Sequence, residues 1–205
     1  MSIVLLGSTS GSITLSEPAV AGTNTLSLPA VTGTFVIAGQ NSAITAGTVN
    51  AGGTNPFNNT LTSVDFTGIP SWVKRITVVF NEVSSSGTSN FLVQLGDSGG
   101  IENTGYVSTS NYTNQASTTG GSNSTAGYLL FNSASTGAAL ISGTYTLVNI
   151  SGNIWIGSGV HKIATTQVLF SGGSKTLSDV LTQVRITTVN GTDTFDAGSI
   201  NILYE

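Results

Sequence analysis

Val73-Lys74-Arg75-Ile76-Thr77-Val78-Val79-Phe80-Asn81-Glu82 decides the fold. Lys74, Ile76, Val78, Phe80 and Glu82 alternate against Val73, Arg75, Thr77, Val79 and Asn81. Successive side chains of a strand point to opposite faces, so this period of two puts apolar residues in the middle of one face. Val, Ile, Thr and aromatics suit a pleated, half-buried surface. Outward from it, Ser86-Gly87-Thr88 precedes a second strand at 91–95, and 128–131 is a shorter, fully apolar run. Residues 144–150 and 154–156 flank Ser151-Gly152-Asn153, a hairpin signal. Runs at 165–170, 184–189 and 200–204 read as further strands. Leu177, Val180, Leu181 and Val184 have i, i+3, i+4, i+7 spacing and predict one short helical turn, with Thr176 or Ser178 as cap. The expected fold is all-β: an antiparallel β-sandwich or jelly roll of about eight to ten strands with an N-terminal β-repeat arm.

The arm is read from a repeat. Thr14-Leu-Ser-Glu-Pro-Ala-Val-Ala-Gly-Thr23 aligns without gaps on Thr25-Leu-Ser-Leu-Pro-Ala-Val-Thr-Gly-Thr34, identical at eight of ten positions. Each unit is a short strand, a Pro that stops ladder pairing and a Gly turn. Two units cannot bury a core alone, so the arm needs a cover: the rest of the chain, sister copies or a larger assembly. Residues 1–39 are therefore expected to form an attachment arm, 40–56 a linker rich in Gly, Asn, Ala and Thr, and 57–205 the sandwich. Unpaired strand edges invite closed association of identical chains. A homotrimer that buries Leu15, Leu26, Leu28 and Val31 is the expected oligomer.

Composition narrows the function. Only 7% of the 205 residues are charged, while 28 Ser, 31 Thr and 26 Gly are present. An ordinary soluble domain carries about 25% charged residues. Apolar residues still reach 39%, enough for a core. Lys74, Arg75, Lys162, Lys175 and Arg185 are too few to build a nucleic-acid groove. There is no Cys, and His161 is the single His, so thiolate and His-cluster metal sites are not expected. No run approaches the roughly 20 apolar residues of a membrane-spanning helix. The opening Met-Ser-Ile-Val-Leu-Leu lacks a basic segment and its apolar run is short, so synthesis in a cytoplasm without a secretion signal is expected.

Three motifs carry chemistry on paper. Gly96-Asp97-Ser98-Gly99-Gly100 matches the sequence around the nucleophile of chymotrypsin-like serine proteases, whose order is His, Asp, Ser. Here His161 follows Ser98, and the stretch reads as a turn after the strand at 91–95. Asp193 and Asp196, in a Gly-containing loop, offer oxygens to calcium, but the spacing is not that of the common calcium loop, and Asp as turn former is the plainer reading. Trp72 and Trp155 sit beside strand cores and are expected to be buried. The uncharged stretch 108–126 is either an exposed loop or a flat edge hairpin, and Tyr106 and Tyr112 make it the candidate contact surface for a host glycan. No catalytic, cofactor-binding or metal-ligating residue is assigned.

Two stretches resemble bacteriophage virion proteins. Gly11-Ser-Ile-Thr-Leu and Gly22 to Thr34 resemble short repeats of tail-fibre-like and other virion structural proteins. Val64-Asp-Phe-Thr-Gly-Ile-Pro-Ser-Trp-Val-Lys-Arg-Ile-Thr-Val78, with the segment from Arg185 to Glu205, is similar to a phage-associated β domain of tail-fibre-like proteins. The resemblance implies a virion location after synthesis in the host cytoplasm, no enzymatic activity, no cofactor, and partners among tail adaptor or major capsid proteins. A capsid decoration (cement or head-fibre) protein and a carbohydrate-binding adhesin module are the alternatives.

Overall fold

A computed structural model describes residues 60–130 and 139–205, together with the strand segments at 3–6, 12–15 and 45–46. The chain divides into two compact units, residues 1–36 and 37–205. In the first, β1 (Ile3–Leu6) pairs antiparallel with β2 (Ser12–Leu15), in a register that sets Ile3 opposite Leu15. The repeat beyond Leu15, with Leu26, Leu28 and Val31, lies outside the described residues.

The second unit is all-β. Its strands are β3 (Thr45–Ala46), β4 (Ser63–Thr67), β5 (Arg75–Ser85), β6 (Phe91–Asp97), β7 (Gly100–Ile101) and β8 (Tyr106–Asn114). They continue as β9 (Thr119–Ser124), β10 (Tyr128–Leu130), β11 (Ile141–Ser151), β12 (Ile154–Ile163), β13 (Gln167–Thr176), β14 (Gln183–Thr188) and β15 (Phe195–Tyr204). A large antiparallel sheet runs β3-β15-β5-β11-β12-β13-β8-β9, and a small one β10-β6-β14-β4 with β7 on β6. The chain crosses repeatedly between the sheets, and their inner faces share one core, including Phe66, Ile76, Val78, Leu95, Tyr145 and Ile186. This is the expected sandwich, with more strands than the eight to ten read from apolar runs; the extra ones are short or polar and carry no such run.

β5 is the decisive strand. Ile76, Val78 and Phe80 are buried while Arg75 and Asn81 face solvent. It curls where its regularity breaks. Glu82 adopts φ of 50°, and the β11 register slips between Ile141 and Gly143. The Ser142 hydroxyl accepts from the Glu82 main-chain N (2.9 Å) and donates to its carboxylate (2.8 Å), fixing the bulge. Bulges bend strands and strengthen twist, which lets the large sheet wrap the small one.

The expected turn of helix at 177–184 is absent; no helix occurs among the described residues. The donors there bond across the molecule, Leu177 N to Asn153 O and Thr182 N to Gly96 O, leaving no i to i−4 ladder. Leu177, Leu181 and Val184 are buried from an extended chain that happens to carry helical spacing. Part of the segment read as linker joins the sheet: Thr45–Ala46 pair with Leu203 and Tyr204. The 151–153 hairpin forms as read, with Gly152 at φ of 50° in a two-residue loop.

Candidate functional site

The stretch at 108–126 is an edge hairpin, β8 paired with β9. Tyr106, expected at its surface, is only 1% exposed. β8 buries Tyr106, Ser108 and Ser110 on one side, because Ser108 and Ser171 reach the main chain of β10: Ser108 Oγ accepts from Leu129 N and Ser171 Oγ donates to Leu129 O. Tyr106 stands edge-on to Tyr128, with the Lys175 ammonium 5.2 Å from its ring. Its hydroxyl accepts from Leu95 N at 2.7 Å. Burial raises its pKa far above the ordinary phenol range. Tyr106 is therefore a core residue, not a contact handle. Tyr112 is half-buried, on β8 opposite Leu169 and Gly120.

The Gly96-Asp97-Ser98-Gly99-Gly100 stretch is the turn between β6 and β7. Asp97 accepts from Gly99 N (2.8 Å) and from the Ser178 hydroxyl (2.7 Å), which holds its pKa below the usual carboxylate range. Ser98 is exposed. His161 lies in the core, edge-on to Phe80 and stacked on Tyr145, and neither ring nitrogen has a hydrogen-bond partner. The two side chains sit in different environments and form no nucleophile–base pair.

Asp193 is likewise committed. It accepts from Ser89 N (3.0 Å) and from the Asn190 amide (2.7 Å), while Asp196 accepts from the Ser84 hydroxyl. The turn former is Asn190, whose side-chain oxygen accepts from Thr188 Oγ1, Thr192 N and Asp193 N. Among the described residues no three His, Cys, Asp or Glu side chains gather around a cation position. Trp155 is buried as expected. Trp72 is instead 39% exposed, its ring 6.0 Å from that of Tyr204.

A concavity lies elsewhere among the described residues, on the outer face of the small sheet. It is an open cleft of about 370 Å³ whose lining includes Ser63, Gln94, Asn103, Arg185, Thr187 and Asn190. Asp65, Arg185 and Gln94 form a cross-strand row over β4, β14 and β6. Arg185 donates through Nε and Nη2 to both Asp65 oxygens, each at 2.7 Å. That fork raises the Arg185 pKa further. Gln94 donates to Ala126 O and Thr187 to Thr62 O. Hydroxyls, amides and one neutralised ion pair make a surface able to hydrogen-bond an uncharged, polyhydroxylated ligand. Sequence reasoning missed it because its residues come from strands distant along the chain.

No protein-family model matches the chain, and neither a curated protein nor a solved structure matches it.

Proposed function

We propose that the protein is a structural component of a bacteriophage virion, a tail-fibre-like appendage attached by its N-terminal arm and exposing the sandwich. The observation that carries the reading is the division of the chain at residue 36 into a repeat-bearing unit and a separate β body. In that body, residues with catalytic letters serve architecture: Asp97 closes a turn and His161 fills core space. The resemblance of the repeat and of residues 64–78 and 185–205 to phage virion proteins supports the same reading. Leu15, Leu26, Leu28 and Val31 are the proposed assembly residues, with a trimer as the proposed oligomer and a tail adaptor or major capsid protein as the docking partner. Replacing Leu26 and Leu28 by Asp in the full chain tests it: the sandwich should fold and particle incorporation should fall. Normal incorporation would refute the arm's role.

The cleft at Arg185 supports a second reading, a carbohydrate-binding module. Neutral sugars are held by planar amide and guanidinium groups that bridge adjacent hydroxyls, and Gln94 and Arg185 supply such groups in the lining. Glycan-array binding lost on Asn103→Ala supports it; no binding to any glycan rejects it.

A further inference from the structure

The large sheet loses its regularity along one row. β5 bulges at Glu82, and both of its neighbours slip past it: β11 between Ile141 and Gly143, and β15 between Ala197 and Ser199, around Gly198. The next strand, β12, is regular and sets His161 opposite Gly143 and Lys162 opposite Ser142. A bulge interrupts the main-chain ladder, so side chains must hold the strands there. On the outer side one carboxylate does so. Glu82 Oε1 accepts from Ser142 Oγ at 2.8 Å and pairs with Lys162 Nζ at 2.6 Å, joining β5, β11 and β12. On the inner side the row holds His161, 1% exposed, between Phe80 and Tyr145. Neither ring nitrogen has a hydrogen-bond partner among the described residues. Gly143 makes the room, since a Cβ there would lie 2.4 Å from Val160 O and 3.0 Å from the imidazole Cδ2. A neutral imidazole fits this slot. An imidazolium would bring two donors and a charge to a place that offers no acceptor, which is costly.

We propose that this row is an acid-operated hinge, at which β5, β11 and β12 part while the small sheet stays folded. Opening lets His161 reach water and take up a proton at an ordinary imidazole pH, whereas burial in the closed row holds that proton off down to about pH 4. The open population therefore grows by up to about tenfold per pH unit between about pH 6.5 and pH 4. Glu82 acts in the same direction at lower pH. Its contacts with Lys162 and Ser142 hold its pKa below the usual carboxylate range, so the clasp is present above that range and is lost as pH falls through the lowered value. The other titratable groups around the row oppose none of this. Tyr145 on β11 stays protonated because burial raises its pKa, Lys162 on β12 is held by Glu82, and Asp196 on β15 accepts from the Ser84 hydroxyl. On β13 the residue opposite His161 is Leu169. Opening is local because pairing elsewhere is unbroken: β12 pairs with β13 from Ile154 to Ile163, and β14 with β4 and β6, without a slip. The hinge depends on neither the virion reading nor the cleft.

Hydrogen–deuterium exchange of the full chain at about pH 7 and about pH 4.5, corrected for the intrinsic pH dependence of amide exchange, tests it. Peptides covering residues 80–84, 141–145 and 159–163 should lose protection on acidification at least about tenfold more than peptides covering β6 and β14. His161→Leu should remove that difference, and Glu82→Gln should lower protection of the same three peptides already at neutral pH. Equal loss across the body, unchanged protection along the row, or a difference that survives His161→Leu overturns the hinge. Should His161→Leu misfold, the wild-type exchange still decides, together with the imidazole NMR signal, which is unambiguous because His161 is the single His. A signal that titrates near the ordinary value of about 6.5 in the folded chain contradicts the proposal.

Discussion

The hydroxyl of Tyr106, on the large sheet, accepts a hydrogen bond from the main-chain N of Leu95, on the small sheet, at 2.7 Å. It also donates to the Glu102 carbonyl at 3.0 Å. One side chain thus ties both layers and the loop between them. Tyr106→Phe keeps the ring but removes the acceptor of a buried N–H, and a buried unpaired donor costs about 1–3 kcal/mol. Urea denaturation should show that loss with an unchanged slope. A variant as stable as wild type would show that the contact contributes nothing.

His161 makes stability depend on pH. Phe80, Tyr145, Gly143 and Gly159 enclose it, and burial lowers its pKa from 6.5 to about 4. The unfolded chain therefore takes up the proton first as pH falls. Stability is fully present above about pH 6.5 and declines down to about pH 4, by about 3 kcal/mol in total. His161→Leu should remove this part of the pH dependence. Parallel pH profiles for the two proteins would contradict it.

Gly198 has φ of 79°, and a Cβ there would lie 2.2 Å from the main-chain oxygen of Glu82. The bulges of β5 and β15 meet at this point. Gly198→Ala combines a strained backbone with a backbone clash and should cost more than about 2 kcal/mol. Thermal melting checks it, and a shift within error would mean that the sheet curvature is adjustable here.

Ser98→Ala should leave stability within about 0.5 kcal/mol of wild type, because Ser98 is an exposed turn residue. Stoichiometric labelling of Ser98 by a serine-directed reagent, abolished by His161→Leu, would instead reveal a nucleophile.

The sheets were legible where one face is apolar and the other is not. β5 shows it, and its neighbour β11 and the next strand β12 were marked by the Gly152 turn. Legibility failed where polarity did not mean exposure. Ser108 and Ser110 are buried because their hydroxyl-bearing face packs under β10, so a stretch that reads as solvent-facing hides one side and takes Tyr106 with it. The helical spacing of Leu177, Leu181 and Val184 misled because the segment's donors bond to distant strands. The cleft was invisible because Ser63 and Thr187, both in its lining, lie far apart along the chain and meet only through the β4–β14 register.

The proposed virion role is tested most directly by quantitative mass spectrometry of purified particles of the phage that the proposal takes as the source of this chain. A virion component predicts the chain in every preparation, at a fixed number of copies per major capsid protein. Hundreds of copies would place it on the capsid as a decoration; a few per tail would make it an appendage. Its absence from purified particles, with abundant protein left in the lysate, would contradict the account.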